Sequence, residues 1–258
     1  MEIICPICKN KLFKKFNSYY CINNHCFDIA KEGYLNLYLK SAKKSGDEKE
    51  MIQAREDFLN KDYYLFLKEE LNRILKELKI NSLLDLGCGE GYYTSYFNIE
   101  EKIGIDLSKE ALKKASKKDP KSFYILSSIF NNPIATNSID AILTCFAPIA
   151  YEEINRICKK DGYFILVRPN VKHLYELKEV VYTNPYDKEL EEIKLNNFEI
   201  INEYSISNHS ILDKQDILNL FKMTPYYHKT SMNDMNKLLE VNQLDITFDF
   251  IISIYKKS

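Results

Sequence analysis

The chain has 258 residues, of which 45% are hydrophobic and 28% charged, and its formal net charge is −1. This length suits one α/β domain of about 200 residues with a small appendage, and the near-neutral charge argues against a protein that coats nucleic acid nonspecifically. The charge is uneven, because residues 1–45 hold eight lysines against three acids, a net of +5, so the remainder carries −6. A basic amino-terminal segment beside a mildly acidic remainder suits docking on a phosphate backbone.

The cysteines are concentrated at the amino terminus. There are seven, an odd number, and four lie in the first 26 residues, whereas Cys88, Cys145 and Cys158 stand singly. This distribution indicates metal binding in a reducing compartment and argues against a disulfide framework. The sequence also has no apolar run of membrane-spanning length and no basic segment followed by an apolar stretch at its start. We therefore expect a cytoplasmic protein with no membrane partner.

The amino-terminal cysteines have the spacing of a zinc site. Cys5 and Cys8 form a Cys-Pro-Ile-Cys motif, and Cys21 is followed by the adjacent residues His25 and Cys26. Three thiolates and one further ligand can hold Zn²⁺ tetrahedrally, and the spacing allows either His25 or Cys26 as the fourth ligand. A segment this short cannot build a self-sufficient core, so we expect the metal to supply folding energy there.

The next segment reads as a linker followed by helices. Residues 40–50 are polar and contain Lys43-Lys44-Ser45-Gly46-Asp47, which favours an exposed linker. From Met51 to Leu78, apolar residues recur at helical spacings. Asn60-Lys61-Asp62 is expected to break this stretch into two helices.

Strands and helices alternate from Ser82 onward, which predicts an α/β fold with a parallel sheet covered by helices on both faces. Strands are predicted near 82–86, 101–105, 122–126, 139–144 and 162–168, and helices near 91–98, 108–118, 150–159 and 173–181. The tail adds a strand near 198–206, a helix near 213–221 and a strand over 245–255. The alternating apolar residues of the last strand suit an antiparallel position at the sheet edge.

A glycine turn after the first of these strands indicates a nucleotide-like cofactor. Gly87 and Gly89 allow a sharp turn and close approach of a ligand, and Gly91 allows close packing of the chain that follows. Asp106 ends the next strand 19 residues after Gly87, where a carboxylate can accept hydrogen bonds from ribose hydroxyls. The glycines do not follow the G-x-G-x-x-G spacing of dehydrogenases, and Asp-Leu-Gly-Cys-Gly-Glu-Gly, beginning at Asp85, resembles the first motif of class I S-adenosylmethionine methyltransferases.

Motifs along nearly the whole chain resemble the 23S ribosomal RNA (guanine-N1)-methyltransferases of the RlmA family. The first part of the resemblance is Cys-Pro-x-Cys with Cys-x₃-His, followed by Phe27-Asp28-x-Ala30-Lys31-Glu32-Gly33-Tyr34-x-Asn36-Leu37. It continues through Met51-x-Gln53-Ala54-Arg55-x₂-Phe58-Leu59, Gly87-Cys88-Gly89-Glu90-Gly91-Tyr92-Tyr93-Thr94, Ala147-Pro148, His173-Leu174-x-Glu176-Leu177-Lys178 and Met223-Thr224-Pro225.

The resemblance implies methyl transfer from S-adenosyl-L-methionine to N1 of a guanine in a hairpin loop of 23S ribosomal RNA, the expected partner. It implies a zinc-binding RNA-recognition module at 1–37 and a class I, Rossmann-like methyltransferase domain at 38–258, in which 38–80 hold the linker and leading helices. Zn²⁺ would be held by Cys5, Cys8, Cys21 and His25. Family cofactor contacts would fall on Tyr64, Gly89, Glu90 and His173, and the motif itself adds Asp85, Gly87, Gly91 and Asp106.

Some questions stay open at this level. The alternative function is a class I methyltransferase that acts on another RNA or a small molecule. No catalytic acid or base is named, because Asp140 sits too early on its strand. Arg168-Pro169-Asn170 replaces the glycine-containing turn expected before His173, so substrate contacts there are expected to differ. The sequence does not choose the target guanine, and it leaves a homodimer open.

Overall fold

The structure is a computed structural model that describes residues 1–40, 49–183, 185 and 190–258. Most of the predicted linker, residues 41–48, lies outside the described residues.

Three short antiparallel strands form an amino-terminal ribbon, residues 1–34. The strands are β1 (Phe13–Lys15), β2 (Ser18–Tyr20) and β3 (Cys26–Asp28), paired in that order. The ribbon packs on the rest of the chain through its inner face, where Phe27 is buried and the Tyr19 ring lies 5.6 Å from the ring of Phe123. The ribbon therefore docks on the larger domain.

The larger domain is built on one eight-stranded mixed sheet with the order β10-β11-β9-β8-β5-β6-β7-β4. Its strands are β4 (Leu35–Asn36), β5 (Ser82–Leu86), β6 (Glu101–Asp106), β7 (Phe123–Leu126), β8 (Ile139–Cys145), β9 (Cys158–Pro169), β10 (Phe198–Asp213) and β11 (Gln243–Lys257). Strands β4 to β9 pair in parallel, whereas β11 pairs antiparallel with both β9 and β10. The carboxyl ends of the parallel strands therefore meet at one edge, where such folds bind ligands.

The helices begin at capping residues where the sequence supplies them. They are α1 (Lys49–Leu59), α2 (Leu65–Glu77), α3 (Lys109–Lys118), α4 (Tyr151–Ile157), α5 (Tyr175–Val181), α6 (Lys214–Lys222) and α7 (Met232–Leu238), with a 3₁₀ turn at Ile129–Asn131. The Ser108 hydroxyl accepts from the backbone N–H of Ala111 at the start of α3, and the Asp213 carboxylate accepts from that of Asp216 in α6. Each satisfies a backbone donor that the first helical turn leaves unpaired.

The core lies on both faces of the sheet. Successive residues of β5 show this, because Leu83 packs in the cluster on one face and Leu84 in the cluster on the other. Side chains alternate along a strand, so a strand apolar at every position must be covered on both sides. Ile3, Leu12 and Phe27 of the ribbon belong to the same cluster as Leu84. The ribbon thus covers part of one sheet face.

Most predicted elements are confirmed, and one is wrong. The predicted helix at 91–98 is a series of turns over 91–96. Gly91 adopts a φ of +75°, and the Lys102 ammonium donates to the carbonyl oxygens of Thr94 and Phe97 at 2.9 and 2.8 Å. The backbone N–H groups of Ser95 and Tyr96 bond to the carbonyls of Gly91 and Tyr93 at 3.0 Å each, so the segment closes single turns that do not continue as a regular helix.

Both sheet edges differ in detail from expectation. The final strand, β11, is antiparallel as predicted, but β10 pairs outside it and forms the edge. At the other edge β4 pairs in parallel with β7, so residues 35–36, which the sequence groups with the metal module, extend the main sheet.

Candidate active site and metal centre

A cluster of three cysteines and one histidine lies in the ribbon. The ligand atoms of Cys5, Cys8, Cys21 and His25 all lie within 4.8 Å of one another. The Sγ atoms of Cys8 and Cys21 are 3.6 Å apart, and Nδ1 of His25 is 3.3 Å from Cys21 Sγ and 3.5 Å from Cys5 Sγ. Zn–S bonds of about 2.3 Å and Zn–N bonds of about 2.0 Å in a tetrahedron require separations of this size. The donor set fits a structural zinc ion.

The structure separates the two residues that the spacing left as alternatives. Strand β3 begins at Cys26, whose side chain is exposed and whose Sγ lies 4.0 Å from Oδ1 of Asp28. His25, one residue earlier, turns its ring toward the three thiols. Adjacent residues in an extended segment point to opposite sides, so only one of them reaches the cluster.

The loop around Cys8 favours the metal-binding form of its thiol. The backbone hydrogen bond from Asn10 lowers the pKa of Cys8 to about 6, and the Asn10 side-chain amide also donates to Cys8 Sγ at 3.4 Å. The thiolate is the form that binds a metal.

At the carboxyl end of β5 the chain turns sharply through the glycine motif. Gly87 and Gly89 have φ values of +82° and +55°, in the left-handed region that L side chains rarely adopt. A Cβ at Gly87 would lie 2.5 Å from the Cβ of Ala147, so the loop after β8 presses directly on this turn. Gly91 serves packing, because a Cβ there would lie 2.7 Å from the Tyr124 hydroxyl.

Three carboxylates surround this turn. Asp106 accepts from the backbone N–H groups of Gly89 at 2.9 Å and Ser108 at 2.7 Å. Asp85 is 1% exposed and accepts from the Thr94 hydroxyl at 2.5 Å, and its burial raises its pKa to about 7. Glu90 is buried as well. Such a group of acids complements a cofactor that carries ammonium and sulfonium charges.

One cavity of about 840 Å³ joins this turn to residues from distant parts of the chain. Its lining includes all the residues expected to bind the cofactor except Gly91, namely Tyr64, Asp85, Gly87, Gly89, Glu90, Asp106 and His173. The volume lies toward the upper end of the range for small-molecule sites, about 300–1,000 Å³. It accommodates a nucleoside cofactor together with a second planar group.

Another part of the cavity wall is aromatic and holds a neutral histidine. His173 is buried, and burial lowers its pKa to about 3. The backbone N–H of Asp249 donates to its Nδ1 at 3.3 Å, which places the ring proton on Nε2. Its ring lies 4.7 Å from that of Phe250, and Tyr64 packs edge-on to Phe250 at 5.0 Å. His173 therefore presents an N–H donor.

Phe146 follows β8 in a strained conformation. Its φ is +57°, and its side chain stays 42% exposed although it lines the cavity. A left-handed conformation costs a bulky residue roughly 1–3 kcal/mol and persists where the surrounding structure enforces it. Here the backbone N–H of Phe146 donates to the carbonyl of Val167 at 3.2 Å, and its ring lies 5.0 Å from Phe250. The ring is thereby held in the open space of the cavity.

The ribbon reaches the cavity rim. The Lys9 ammonium donates to Oδ1 of Asn131 at 3.1 Å, and the neighbouring Phe130 is exposed and lines the cavity. A long substrate can therefore contact the ribbon and the cavity together.

Several lining residues were not singled out from the sequence. Arg55 of α1 lies 3.7 Å from Glu90, and Phe130 and Tyr93 also line the cavity. Arg55 belongs to the motif Met51-x-Gln53-Ala54-Arg55, but its partner, Glu90, is distant in sequence. Asp140 was not assigned a catalytic role from the sequence, and it lies at the other end of the sheet, near the start of β8. There it accepts from the backbone N–H of Ser82 at 2.9 Å and pairs with Lys159.

Within the described part of the chain, no helix has the length and apolar character needed to cross a membrane.

Two family models match the chain. The model of the zinc ribbon described as "RlmA, N-terminal" matches residues 3–46, and the model described as "Methyltransferase domain" matches residues 84–166.

Two curated relatives and one solved structure are similar to the chain. The "Putative 23S rRNA (guanine-N(1)-)-methyltransferase YxjB" of Bacillus subtilis (strain 168) is 29% identical, over 98% of this chain and 96% of that protein. The "23S rRNA (guanine(748)-N(1))-methyltransferase" of Streptomyces fradiae is 29% identical over 67% of this chain and 65% of that one. The crystal structure of the YcgJ protein from Bacillus subtilis covers 73% of this chain and 98% of its own, with a TM-score of 0.48 and 15% identity.

The matches agree with the two sites just described. The ribbon model covers the Cys/His cluster, and the methyltransferase model covers the glycine turn and Asp106. The cofactors are Zn²⁺ and S-adenosyl-L-methionine. The chain therefore joins an amino-terminal zinc ribbon that matches the RlmA model to an S-adenosylmethionine-dependent methyltransferase domain.

Proposed function

We propose that the enzyme methylates N1 of a guanine in a hairpin loop of 23S ribosomal RNA. The observation that carries this proposal is the position of the ribbon at the rim of the cavity, where Lys9 contacts Asn131 beside Phe130. A small substrate needs no such extension, whereas an RNA can contact both parts at once. The names of the two relatives, both 23S rRNA (guanine-N1)-methyltransferases, support the same substrate.

The domain roles follow from this proposal. Residues 1–37 act as a zinc-binding RNA-recognition module in which Cys5, Cys8, Cys21 and His25 hold the metal. Residues 38–258 form the catalytic domain, with residues 38–80 as its linker and leading helices. The net charge of +5 over residues 1–45 supports contact of the module with RNA phosphates.

The cofactor half of the cavity is assigned to the glycine turn and its carboxylates. Gly87 and Gly89 leave room for the cofactor, and Asp106 accepts hydrogen bonds from the ribose hydroxyls. Asp85 and Glu90 supply negative charge to the methionine part. Gly91 contributes by packing the turn onto Tyr124. When bound, S-adenosylmethionine supplies an electrophilic methyl group.

Tyr64 and His173 are assigned to the wall between the cofactor and the acceptor. His173 is a donor at Nε2, so it is suited to bind a carboxylate or carbonyl oxygen and unsuited to accept the N1 proton. Tyr64 fixes the ring of His173 through the aromatic packing around Phe250.

The acceptor half is assigned to Phe146. Guanine N1 carries a proton at neutral pH, and its Watson–Crick edge is hidden in a helix, so a loop base must enter the cavity. The exposed ring of Phe146 provides a flat surface on which that base can stack, beside the turn that holds the methyl donor. Catalysis then rests mainly on holding N1 in line with the methyl group while its proton leaves.

We place the protein in the cytoplasm because its proposed substrate is ribosomal RNA and because cysteines that hold zinc suit a reducing compartment. A homodimer remains part of the proposal to be tested, and sedimentation of the zinc-loaded protein decides it.

The test is incubation of the protein with labelled S-adenosylmethionine and 23S rRNA that lacks the modification. The expected product is 1-methylguanosine at one loop position, seen by mass spectrometry and as a stop in reverse transcription, because the N1 methyl group blocks base pairing. Cofactor binding without transfer to 23S rRNA would contradict the proposal. Transfer to another RNA or to a small molecule would establish the alternative function.

A further inference from the structure

The ribbon sheet has one face that packs on the domain and one face that remains open. The inner face carries Tyr19 and Phe27, which are paired with each other and packed against the domain. On the opposite side, Phe13 of β1 lies directly across from Tyr20 of β2, and Tyr20 lies across from Cys26 of β3. Cross-strand partners in an antiparallel sheet project on the same side. Phe13, Tyr20 and Cys26 therefore form one row of this open face.

The open face exposes more aromatic surface than the fold requires. Phe13 is 58% exposed and Tyr20 is 37% exposed, and at the β1–β2 turn Phe16 is 89% exposed with a φ of +57°. Single exposed apolar side chains are ordinary on protein surfaces, but adjacent exposed aromatic rings mark interaction sites. The inner face and the metal already hold the ribbon, so this pair is available to a ligand.

Two lysines lie beside the aromatic pair and can contact a phosphate. The Lys11 ammonium lies 5.7 Å from the centroid of the Phe13 ring, and it also forms an exposed ion pair with Glu2 at 3.0 Å, which an RNA phosphate would have to replace. Lys15 lies on the same face in the next row, opposite Ser18. Asp28 also lies on this face, at its far strand, where its carboxylate accepts from the Ser18 hydroxyl at 2.6 Å. Lys15 and Asp28 lie at opposite ends of the same row, so the cation is on the strand of Phe13 and the acid is on the strand of Cys26.

We propose that this open face binds unpaired RNA bases, which stack on Phe13 and Tyr20 while Lys11 and Lys15 contact the adjoining phosphates. Aromatic rings on a sheet face, flanked by cations, are the arrangement that single-stranded nucleic acids use, since every base offers a π face. The proposal rests on the proposed function, because it takes RNA as the substrate. It adds that the ribbon holds single-stranded segments near the target by stacking, in addition to attracting phosphates.

The experiment uses the full-length, zinc-loaded protein and two labelled probes. One is a single-stranded RNA, and the other is a strand of equal length in which the bases are replaced by abasic sites. Phe13→Ala and Tyr20→Ala should each weaken binding of the RNA about tenfold and leave binding of the abasic strand unchanged. Phe13→Trp keeps an aromatic ring and should bind the RNA as tightly as the wild type does. Lys15→Ala should weaken both probes and reduce the slope of log K against log salt by about 0.7.

Ile22→Ala is the matched control. Ile22 is an exposed apolar ribbon residue outside the strands, so this variant should bind both probes as the wild type does. Zinc content and melting temperature verify that each variant is folded.

Equal RNA affinity of the wild type and Phe13→Ala would overturn the proposal. The open face would then be interpreted as a surface that binds a protein. An equal loss on both probes would also overturn it, because stacking requires a base. The proposed function fails separately, when the wild type binds its cofactor but does not methylate 23S rRNA.

Discussion

The ribbon and the parallel part of the sheet differ in what holds them in place. All five residues of β5 are buried, because β8 and β6 flank the strand and a hydrophobic cluster packs on each of its faces. All three residues of β1 are exposed, and its strand is too short to stabilise itself. The ribbon is held by a metal cluster and by an inner face that joins the core of the larger domain.

This difference predicts an asymmetry between the two regions. Ile3 and Phe27 share a cluster with Leu84 and Ile105 of the sheet, so loss of the metal exposes apolar surface on both sides of the contact. A change in the glycine turn leaves the zinc ligands untouched. Zinc content and cofactor affinity therefore report the two regions separately, and the following variants test whether the separation holds.

The largest effect is expected from Cys21→Ser, which removes a zinc ligand. Structural zinc contributes roughly 10–16 kcal/mol to the folding of isolated finger peptides, so the variant should lose its metal and melt at a lower temperature. Metal analysis and calorimetry measure both effects. Cys26→Ala is the control, and it should retain about one zinc per chain. A metal-free Cys21→Ser protein with an unchanged melting curve would contradict the role given to the metal.

The next effect is expected from Asp106→Ala, which changes the glycine turn and leaves the ribbon untouched. It removes a charged acceptor for the ribose and for two backbone N–H groups. We expect cofactor binding to weaken by about 1.5–3 kcal/mol, with the zinc content unchanged, as measured by titration calorimetry. Asp161→Ala, at an exposed ion pair with Lys256, should have no effect on affinity. If Asp106→Ala lost zinc, the two regions would not be separable in this way.

Phe146→Ala should separate acceptor binding from cofactor binding. Loss of a stacking surface costs about 1–3 kcal/mol per base, so methylation of 23S rRNA should slow about tenfold or more at saturating cofactor. Cofactor affinity should stay within about twofold of the wild type. Phe146→Tyr keeps the flat ring, so its methylation rate should equal that of the wild type. A Phe146→Ala enzyme with the full single-turnover rate would exclude the stacking role.

The smallest effect concerns Asp85 and pH. Its folded-state pKa of about 7 lies above its usual value, so the free protein loses stability as pH rises from about 4 through 7 and the buried carboxylate ionises. Asp85→Asn removes this loss, and its melting temperature should exceed that of the wild type by a few degrees at pH 8, with a smaller difference at pH 5.

Cofactor affinity should rise with pH, whereas the stability of the free protein falls. A cationic cofactor favours ionised Asp85, so wild-type affinity should rise between pH 6 and pH 8, whereas that of Asp85→Asn should rise less. Parallel pH profiles of the two proteins would show that Asp85 does not titrate in the site.

The amino-acid sequence by itself determined most of the order of strands and helices from Met51 onward and the chemistry of the two motifs. Periodicity marks a strand such as β5 because its burial on both faces demands an apolar run. The three thiols and the glycine turn are local patterns, so their spacing pointed to Zn²⁺ and to a nucleotide-like cofactor, and the resemblance of the motif to class I methyltransferases implied S-adenosylmethionine. The helix expected at 91–98 is a series of turns, and Lys102 of β6 binds the carbonyls of Thr94 and Phe97, contacts that no local pattern reveals.

Only the tertiary structure decided what depends on distant residues or on the direction of a side chain. His25 enters the zinc cluster and Cys26 faces solvent because β3 begins between them, and both spacings were acceptable in the sequence. Arg55 meets Glu90 because α1 packs over the turn. The conformation of Phe146 and the open face of Phe13 and Tyr20 depend on which side of a strand or turn faces a neighbour. Contacts of this kind form between segments far apart in the chain, so they leave no periodic signal in the sequence.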